Sequence, residues 1–276
     1  MVKQIRQLSN AHEQREEKIR DRHFVASLAR GLEVLRVFQA GDGFLGNQEI
    51  AERTALPKPT VSRLTSTLTK LGYLEHDSRL KKYRLGSSIL ALGYAFLGNL
   101  EIRKVASPLM QELADHAVAT VALCAKDRLS MLYIELCHGI ESTYLRREVG
   151  ARIPMHCSAA GIAFLAGSNK ETRTYYLKQI EKQQKQDWRK VQRLINTGIR
   201  EVEANGFCMV IGGVEPSVNG VAAPLIARDG MSVLSVNCTG PSFHLTEEKL
   251  LTSIGPRLVN MASTIKAGMA RFHFQF

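Results

Sequence analysis

The sequence predicts an α+β protein, in which a small and mainly helical unit is followed by a larger unit that mixes strands with helices. Two observations lead to this fold class. Between residues 25 and 71, apolar residues recur at helical spacing, and a short basic hairpin pattern follows them. From residue 118 onward, β-favouring apolar runs alternate with helical segments, which is typical of an α+β domain.

The composition of the 276-residue chain limits its class and its partners. Hydrophobic residues make up 45% of it, enough for a packed core, and the formal net charge of +11 favours nucleic acid or another acidic surface as a partner. No run of 18 apolar residues occurs and the N-terminus is polar, so we expect neither a membrane span nor a secretory signal. The five cysteines are odd in number and form no CxxC pair, so we expect neither a disulfide framework nor a metal site, and a reducing cytoplasm as the compartment. We also expect no cofactor.

Residues 1–24 are strongly charged, with both signs and no clear apolar stripe. We interpret them as a frayed or helical arm. The alternative is an arm that touches DNA or a sister subunit.

Residues 25–86 contain three helix patterns and a hairpin pattern. The segment SLARGLEVLRVF predicts the first helix, with an apolar face formed by Leu28, Leu32, Leu35 and Phe38. Asn47 is the expected N-cap of the second helix, in which Ile50 and Ala51 face inward. The LPKP segment ends that helix, because proline disfavours helical backbone in the residue before it.

The third helix has two faces of different chemistry. Its apolar stripe consists of Val61, Leu64, Leu68 and Leu71. The opposite face carries the polar side chains of Ser62, Arg63, Ser66 and Lys70. Gly72 is the expected residue after the helix end, and the segments YLEHD and KKYRLG then predict two short strands around a turn near Ser78 and Arg79.

Helix, turn, helix and basic hairpin together describe a winged helix-turn-helix. We interpret the third helix as one that enters the major groove of double-stranded DNA, because short hydroxyl side chains and arginine reach base edges and phosphates there. The candidate DNA-binding residues of this helix are Lys58, Thr60, Ser62, Arg63 and Ser66. Those of the wing, which would contact phosphates and give salt-dependent affinity, are Arg79, Lys81, Lys82 and Arg84. Residues 1–86 hold 16 Lys and Arg against 10 Asp and Glu, although charge alone would equally fit a solvated surface.

Residues 87–117 predict a long helix, or two helices that meet near Pro108. One apolar face is formed by Ile89, Leu92, Phe96 and Leu100. We expect this linker to join the two units and to offer an apolar seam to a second subunit. The alternative is that the stripe packs within its own chain.

Residues 118–276 predict the larger α+β domain. The expected strands are TVALCAK, SMLYIEL and STYLRREV, followed by a hairpin of GVAAPLIA and MSVLSVNCTG with its turn at residues 228–230. The segment SAAGIAFLAG and residues 170–204 are expected to be helical, and Thr246 is the expected N-cap of a closing helix.

Five ordered blocks of the sequence resemble the isocitrate-lyase-regulator (IclR) family of bacterial transcription factors. They are SLARGLEVLRVF, LPKPTVSRLTSTLTKLGYLE followed by YRLG, REVGARIPMHCSAAGIAFLAG, GVAAPLIARDG and SVNCTGP, all within about residues 25–270. The resemblance implies an N-terminal winged helix, a dimerising linker helix and a C-terminal GAF-like domain that binds a small carboxylate effector. It also implies a homodimer or homotetramer that acts on operator DNA, repressing or activating genes of carbon-source catabolism.

The resemblance further implies an effector pocket. The segment HCSAAG matches a strip whose backbone N–H groups bind the effector carboxylate in the family, and helix starts attract anions for the same reason. Two positions of SVNCTGP and one glycine match ligand-contacting positions of some members. The effector-binding residues predicted in this way are His156, Ser158, Ala159, Ala160, Gly220, Asn237 and Thr239.

One segment departs from the family pattern. Members carry acidic residues after the NGF element, whereas this chain has Val210 and the apolar run Ile211–Gly213, unless Glu215 substitutes. We therefore predict a more apolar pocket that favours a bulkier or aromatic acid over glyoxylate-like or pyruvate-like effectors.

Other interpretations involve the cysteines. His156 beside Cys157 suggests a nucleophile and its base, but neighbours in sequence rarely face each other and no third orienting group is evident, so we expect no catalytic residues and no enzyme. If the helix start lowered the pKa of Cys157, the chain would instead be a thiol-based redox sensor or a GAF-like thiol enzyme. A third option is an architectural DNA-binding protein without an effector.

Overall fold

The computed structural model describes residues 24–39, 41–140, 147–227, 230 and 233–269. The chain divides into two compact units, Met1–Ala95 and Phe96–Phe276, so the division falls within the predicted linker. All but the last residue of the expected arm lies outside the described residues. Most of the expected strand STYLRREV lies outside them too, and its described end, Arg147–Val149, is not in a strand.

The first unit confirms the predicted order of helix, turn, helix and hairpin. Its helices are α1 (Ala26–Arg36), α2 (Asn47–Thr54) and α3 (Lys58–Lys70), and its antiparallel strands are β1 (Leu74–Asp77) and β2 (Lys82–Leu85). After α3, Gly72 adopts the left-handed conformation (φ +78°) that was expected of it. The Tyr73 N–H then bonds to the Leu68 carbonyl at 2.9 Å, which turns the chain into the wing.

The core face of α1 differs from the predicted stripe. Leu28 and Leu32 are 62% and 51% exposed, whereas Val34 and Phe38 are buried. Val34 is therefore the one residue of α1 that is fully buried in the core of this unit, and Phe38 joins that core from beyond the helix end.

The core face of α3 also differs at two positions. Leu71, which was expected in the apolar stripe, is exposed. Thr65, which was not expected there, is fully buried. The Thr65 hydroxyl lies 3.0 Å from the Val61 carbonyl oxygen and 3.2 Å from Asn47 Oδ1, which satisfies it inside the core. Asn47 is consequently not the N-cap of α2: Gly46 holds that position, and its N–H donates to the Glu49 carboxylate at 2.7 Å.

The linker segment forms two helices, but they do not meet near Pro108. They are α4 (Ser88–Gly98) and α5 (Ile102–Ala117), and Pro108 lies inside α5. The break falls at residues 99–101, after Gly98 and at Asn99, both poor helix formers. No residue of α4 is fully buried. Leu97 is partly buried against the core of the second unit, whereas Leu90, Leu92, Tyr94 and Phe96 are exposed.

The second unit is built on a six-stranded antiparallel sheet with the order β5-β4-β3-β8-β7-β6. Its strands are β3 (Thr120–Asp127), β4 (Ser130–His138), β5 (Arg152–Pro154), β6 (Cys208–Ile211), β7 (Val218–Ile226) and β8 (Val233–Pro241). The hairpin of β7 and β8 confirms the prediction for GVAAPLIA and MSVLSVNCTG.

Helices cover both faces of this sheet. On one face lie α6 (Ala159–Gly167), α7 (Lys170–Gln183) and α8 (Trp188–Asn205). On the other lie α5 and the closing segment, which comprises α9 (Glu247–Lys249), a π-helical stretch (Leu250–Ile254) and α10 (Gly255–Met269). Thr246 caps this segment as predicted, because its hydroxyl accepts from the Lys249 N–H at 3.3 Å. The α+β prediction is confirmed, and GAF-like is a fair description of the domain.

Within the described residues, no helix is both long and apolar enough to cross a membrane.

Candidate functional site

The polar face of α3 is exposed to solvent. Lys58, Ser62, Arg63 and Ser66 are exposed, and Thr60 is partly exposed. Val61, Thr65 and Leu68 anchor the opposite side in the core of the first unit. The helix therefore presents the five predicted DNA-binding residues on its solvent side.

The wing turn is fixed by one carboxylate. Asp77 Oδ1 accepts from the backbone N–H groups of Arg79 (2.9 Å) and Leu80 (2.8 Å), and Lys81 takes the left-handed conformation with φ +52°. This geometry leaves Arg79 and Lys81 exposed at the tip of the hairpin.

The other two wing cations have acidic partners. Arg84 donates to Glu75 Oε2 through Nε (2.8 Å) and Nη2 (2.6 Å), and its guanidinium lies 5.4 Å from the centre of the Phe44 ring. Lys82 lies 3.4 Å from Glu49 Oε2. Because these carboxylates partly neutralise Lys82 and Arg84, Arg79 and Lys81 are the stronger candidates for contacts to phosphates.

A small pocket lies in the second unit between the start of α6 and the strands β3, β7 and β8. Its volume is about 40 Å³. Five of the seven predicted effector-binding residues line it: Ser158, Ala159, Gly220, Asn237 and Thr239. His156 and Ala160 are not part of the pocket wall. Ala160 is fully buried, and partial burial lowers the pKa of the His156 imidazole.

The start of α6 is held in place by Ser158. Its hydroxyl donates to the Pro154 carbonyl (2.6 Å) and accepts from the Gly161 N–H (3.2 Å), as expected of an N-cap. The N–H groups of Ala159 and Ala160, in the first turn, have no acceptor within the helix. The glycine at position 220 permits a close approach here, because a Cβ would lie 2.9 Å from Thr239 Cγ2.

Asn237 supplies an unused hydrogen-bond donor to the pocket. The residue is 1% exposed, and its Oδ1 accepts from the Cys124 thiol at 3.3 Å. Its Nδ2 makes no hydrogen bond of acceptable geometry with any described residue, although the amide lies near enough to the Tyr133 hydroxyl to lower the pKa of that phenol. Buried donors of this kind are rare in proteins, and one that lines a pocket is suited to a ligand acceptor.

Four further polar residues of the pocket wall were not predicted from the sequence: Thr120, Tyr133, Arg147 and Asn219. Burial raises the pKa of the Tyr133 phenol, which keeps it neutral, while the nearby Arg147 guanidinium and the Asn237 amide act in the opposite direction. Arg147 Nη2 donates to Glu215 Oε1 at 2.6 Å. The carboxylate of Glu215 is therefore already engaged and does not simply replace the acidic residues missing after the NGF element.

The rest of the wall is apolar, and includes Ile153, Val210, Val214 and Val218. This composition agrees with the expected apolar character. The volume does not yet suit an aromatic ring, since a cavity that holds benzene measures about 150 Å³. A ring-sized ligand would require side chains of the wall to move.

The cysteines do not have the environment of reactive thiols. Burial raises the pKa of Cys157, which is the reverse of the shift that a redox switch at this helix start requires. Cys124, Cys137, Cys208 and Cys238 are buried, and burial raises the pKa of each. Within the described ranges, no group of three or more His, Cys, Asp or Glu residues could hold a metal ion.

Comparison with known proteins relates both units to one family. Residues 27–78 match the IclR helix-turn-helix domain, and residues 94–267 match the bacterial transcriptional regulator IclR C-terminal domain.

Three similar proteins cover most of the chain. The chain is 33% identical to the HTH-type transcriptional regulator TsaQ1/TsaQ2 of Comamonas testosteroni over 247 residues, which is 89% of this chain and 88% of that one. It is 23% identical to the p-hydroxybenzoate hydroxylase transcriptional activator of Acinetobacter baylyi, over 93% and 96% of the two chains. The crystal structure of an IclR family transcriptional regulator from Brucella abortus is 48% identical, with a TM-score of 0.82 over 90% and 94% of the two chains.

Proposed function

Because the chain belongs to the IclR family of bacterial transcriptional regulators, we propose that it controls genes for the catabolism of a carboxylic acid, with operator DNA and that acid as its partners. The observation that carries this proposal is the pocket at the start of α6, where Asn237 Nδ2 has no partner in the described structure. A similar protein named as an activator for p-hydroxybenzoate hydroxylase supports an aromatic acid as one candidate.

The first unit would read DNA with α3. Ser62, Arg63 and Ser66 lie on its exposed side, where they can reach base edges in the major groove. Arg79 and Lys81 at the wing tip would contact phosphates without selecting a sequence.

The second unit would bind the acid with neutral donors. The Ala159 N–H, which has no acceptor within α6, and the Asn237 amide are the donors that would bind one carboxylate. The effector acts if its affinity differs between the DNA-bound and free forms, and such coupling is typically about 1–3 kcal/mol.

A homodimer, or a homotetramer built from such dimers, would use α4. Its Leu90, Leu92, Tyr94 and Phe96 are between 50% and 67% exposed, an unusual density of large apolar side chains on a surface. A dimeric reader places two recognition helices on two half-sites, which fits operators with palindromic symmetry.

The double variant Leu92→Glu, Phe96→Glu should therefore shift the protein from dimer or tetramer to monomer, because two carboxylates would be buried in the apolar contact. Sedimentation velocity over a range of concentrations measures this shift. Leu251→Glu, at an exposed leucine outside α4, serves as the control and should leave the assembly unchanged. An unaltered sedimentation profile for the double variant would exclude α4 as the contact.

The DNA-binding part of the proposal is tested by the salt dependence of binding to duplexes from the genomic neighbourhood of the gene. We expect log K to fall linearly with log salt, and Arg79→Ala and Lys81→Ala each to reduce the slope by about 1. Arg193→Ala, at an exposed arginine of α8, should leave the slope unchanged. If the unaltered protein shows no salt-sensitive binding to any such duplex, the proposed function is wrong.

A further inference from the structure

The pocket wall carries two kinds of anion-attracting group that differ in exposure. Asn237 and Ser158 are 1% and 3% exposed, and Ala159 brings the start of α6 into the wall beside them. The Arg147 side chain, which also lines the pocket, is 29% exposed. Both kinds of group attract a negative or accepting group, the first through neutral donors and the second through a full positive charge.

Glu215 is held where it can pair with Arg147. It belongs to the loop between β6 and β7, and the Gly212 N–H at the start of this loop bonds to the Val218 carbonyl (3.1 Å) and to Asn219 Oδ1 (3.2 Å). The next residue, Gly213, is packed so closely that a Cβ would lie 2.3 Å from the Cys157 carbonyl oxygen. The loop is thus fixed against the start of α6, and Glu215 meets Arg147 from there.

The charges of this ion pair reach the pocket interior. The Tyr133 hydroxyl, which is buried in the pocket wall, responds to both: Arg147 lowers its pKa and Glu215 raises it, although burial has the largest influence. The pair itself is only partly buried, with 45% exposure on the Glu215 side chain. Partly exposed ion pairs contribute little, because water screens them, so a second carboxylate can readily take the place of Glu215.

Building on the proposed function, we propose that the effector carries two anionic groups, and that Arg147 binds the second of them in exchange for Glu215. The first group takes the donors of α6 and Asn237. Glu215 acts as an internal competitor that keeps the Arg147 charge paired until a dianionic effector arrives. Arg147 is then the residue that selects dicarboxylate-type acids over monocarboxylates.

The test uses the full-length protein and matched pairs of acids: succinate with butyrate, adipate with hexanoate, and terephthalate with benzoate. Binding is measured by isothermal titration calorimetry. For at least one pair, the dicarboxylate should bind more tightly than the monocarboxylate. Arg147→Gln should weaken binding of that dicarboxylate about tenfold or more, as expected for loss of a charged hydrogen bond, and change monocarboxylate binding less than about twofold.

Two further variants distinguish a role of Arg147 in binding the ligand from a purely structural role. Arg147→Lys keeps the charge and should restore most of the affinity, whereas Glu215→Gln removes the competitor and should tighten dicarboxylate binding by about two- to fivefold. Arg152→Gln, whose arginine pairs with Asp127 and does not line the pocket, is the matched control and should bind like the unaltered protein.

The inference fails if Arg147→Gln weakens binding of the dicarboxylate and of its matched monocarboxylate equally, or weakens binding of neither. In that case the proposed function still stands, provided that the unaltered protein binds an acid and DNA. If the unaltered protein binds DNA but no acid of any pair, this inference and the effector part of the proposed function both fail. If the unaltered protein binds an acid but no DNA, the proposed role as a regulator is wrong, whereas the inference about Arg147 is still decided by the acid measurements.

Discussion

Replacing Gly161 with alanine should lower the free energy of unfolding of the second unit by about 3 kcal/mol. A Cβ at this position would lie 2.1 Å from the Met155 carbonyl oxygen and 2.5 Å from its Cα, so backbone, not a flexible side chain, would have to move. The start of α6 would shift with it, and the response to acids should be lost. Differential scanning calorimetry and acid titration measure the two effects.

The matched control for this change is Gly31→Ala in α1. There, a Cβ would lie 3.9 Å from Leu64 Cδ2, which is an ordinary contact, and alanine favours helix more than glycine does. Stability should stay the same or rise by up to about 1 kcal/mol. A Gly161→Ala protein that melts like the unaltered one and still responds to acids would show that the start of α6 is less constrained than its packing indicates.

Replacing Arg63 with alanine should weaken specific operator binding by about 1–3 kcal/mol if the side chain reads a base. Arg63 is exposed on the polar side of α3, away from the core residues Val61 and Thr65. Stability should therefore change little, and the loss should be larger on the operator than on unrelated DNA. A footprint titration on both duplexes makes the comparison, with Arg193→Ala as the control.

If the Arg63→Ala protein binds the operator as tightly as the unaltered protein does, Arg63 does not read a base. An equal loss on both duplexes would instead assign Arg63 to the phosphate backbone, since phosphate contacts carry no sequence information.

Elements with strong periodicity or clear end signals were predictable from the sequence. The helix–turn–helix and its wing follow from the LPKP break, the helical spacing of Val61 and Leu68, and Gly72. The residues by which α1 and α3 face the core were less predictable. Helical spacing of apolar residues does not identify a buried polar residue such as Thr65. Leu28 and Leu32 fit a helical stripe, yet they lie on a part of α1 that no core covers within its unit.

The pocket was predictable only in part, for a reason of chain topology. Ser158 and Ala159 carry a local signal, since a serine before small residues indicates a helix start that can bind an anion. Tyr133 and Arg147 carry none, because the fold brings them to the pocket from other segments of the chain: Tyr133 from β4 and Arg147 from the loop before β5. The pairing of Arg147 with Glu215 joins residues 68 positions apart, which no spacing rule would suggest.

The strand β8 lies in the middle of the sheet and is shared by both layers of helices. Its Asn237 faces the pocket, while its neighbours Val236 and Cys238 belong to the core beneath α5 and α10. Neighbouring residues on a strand cannot shift independently, and close-packed interiors transmit small displacements. We therefore expect that a ligand bound to the Asn237 amide would also displace Val236 and Cys238, and with them the core on the other face of the sheet.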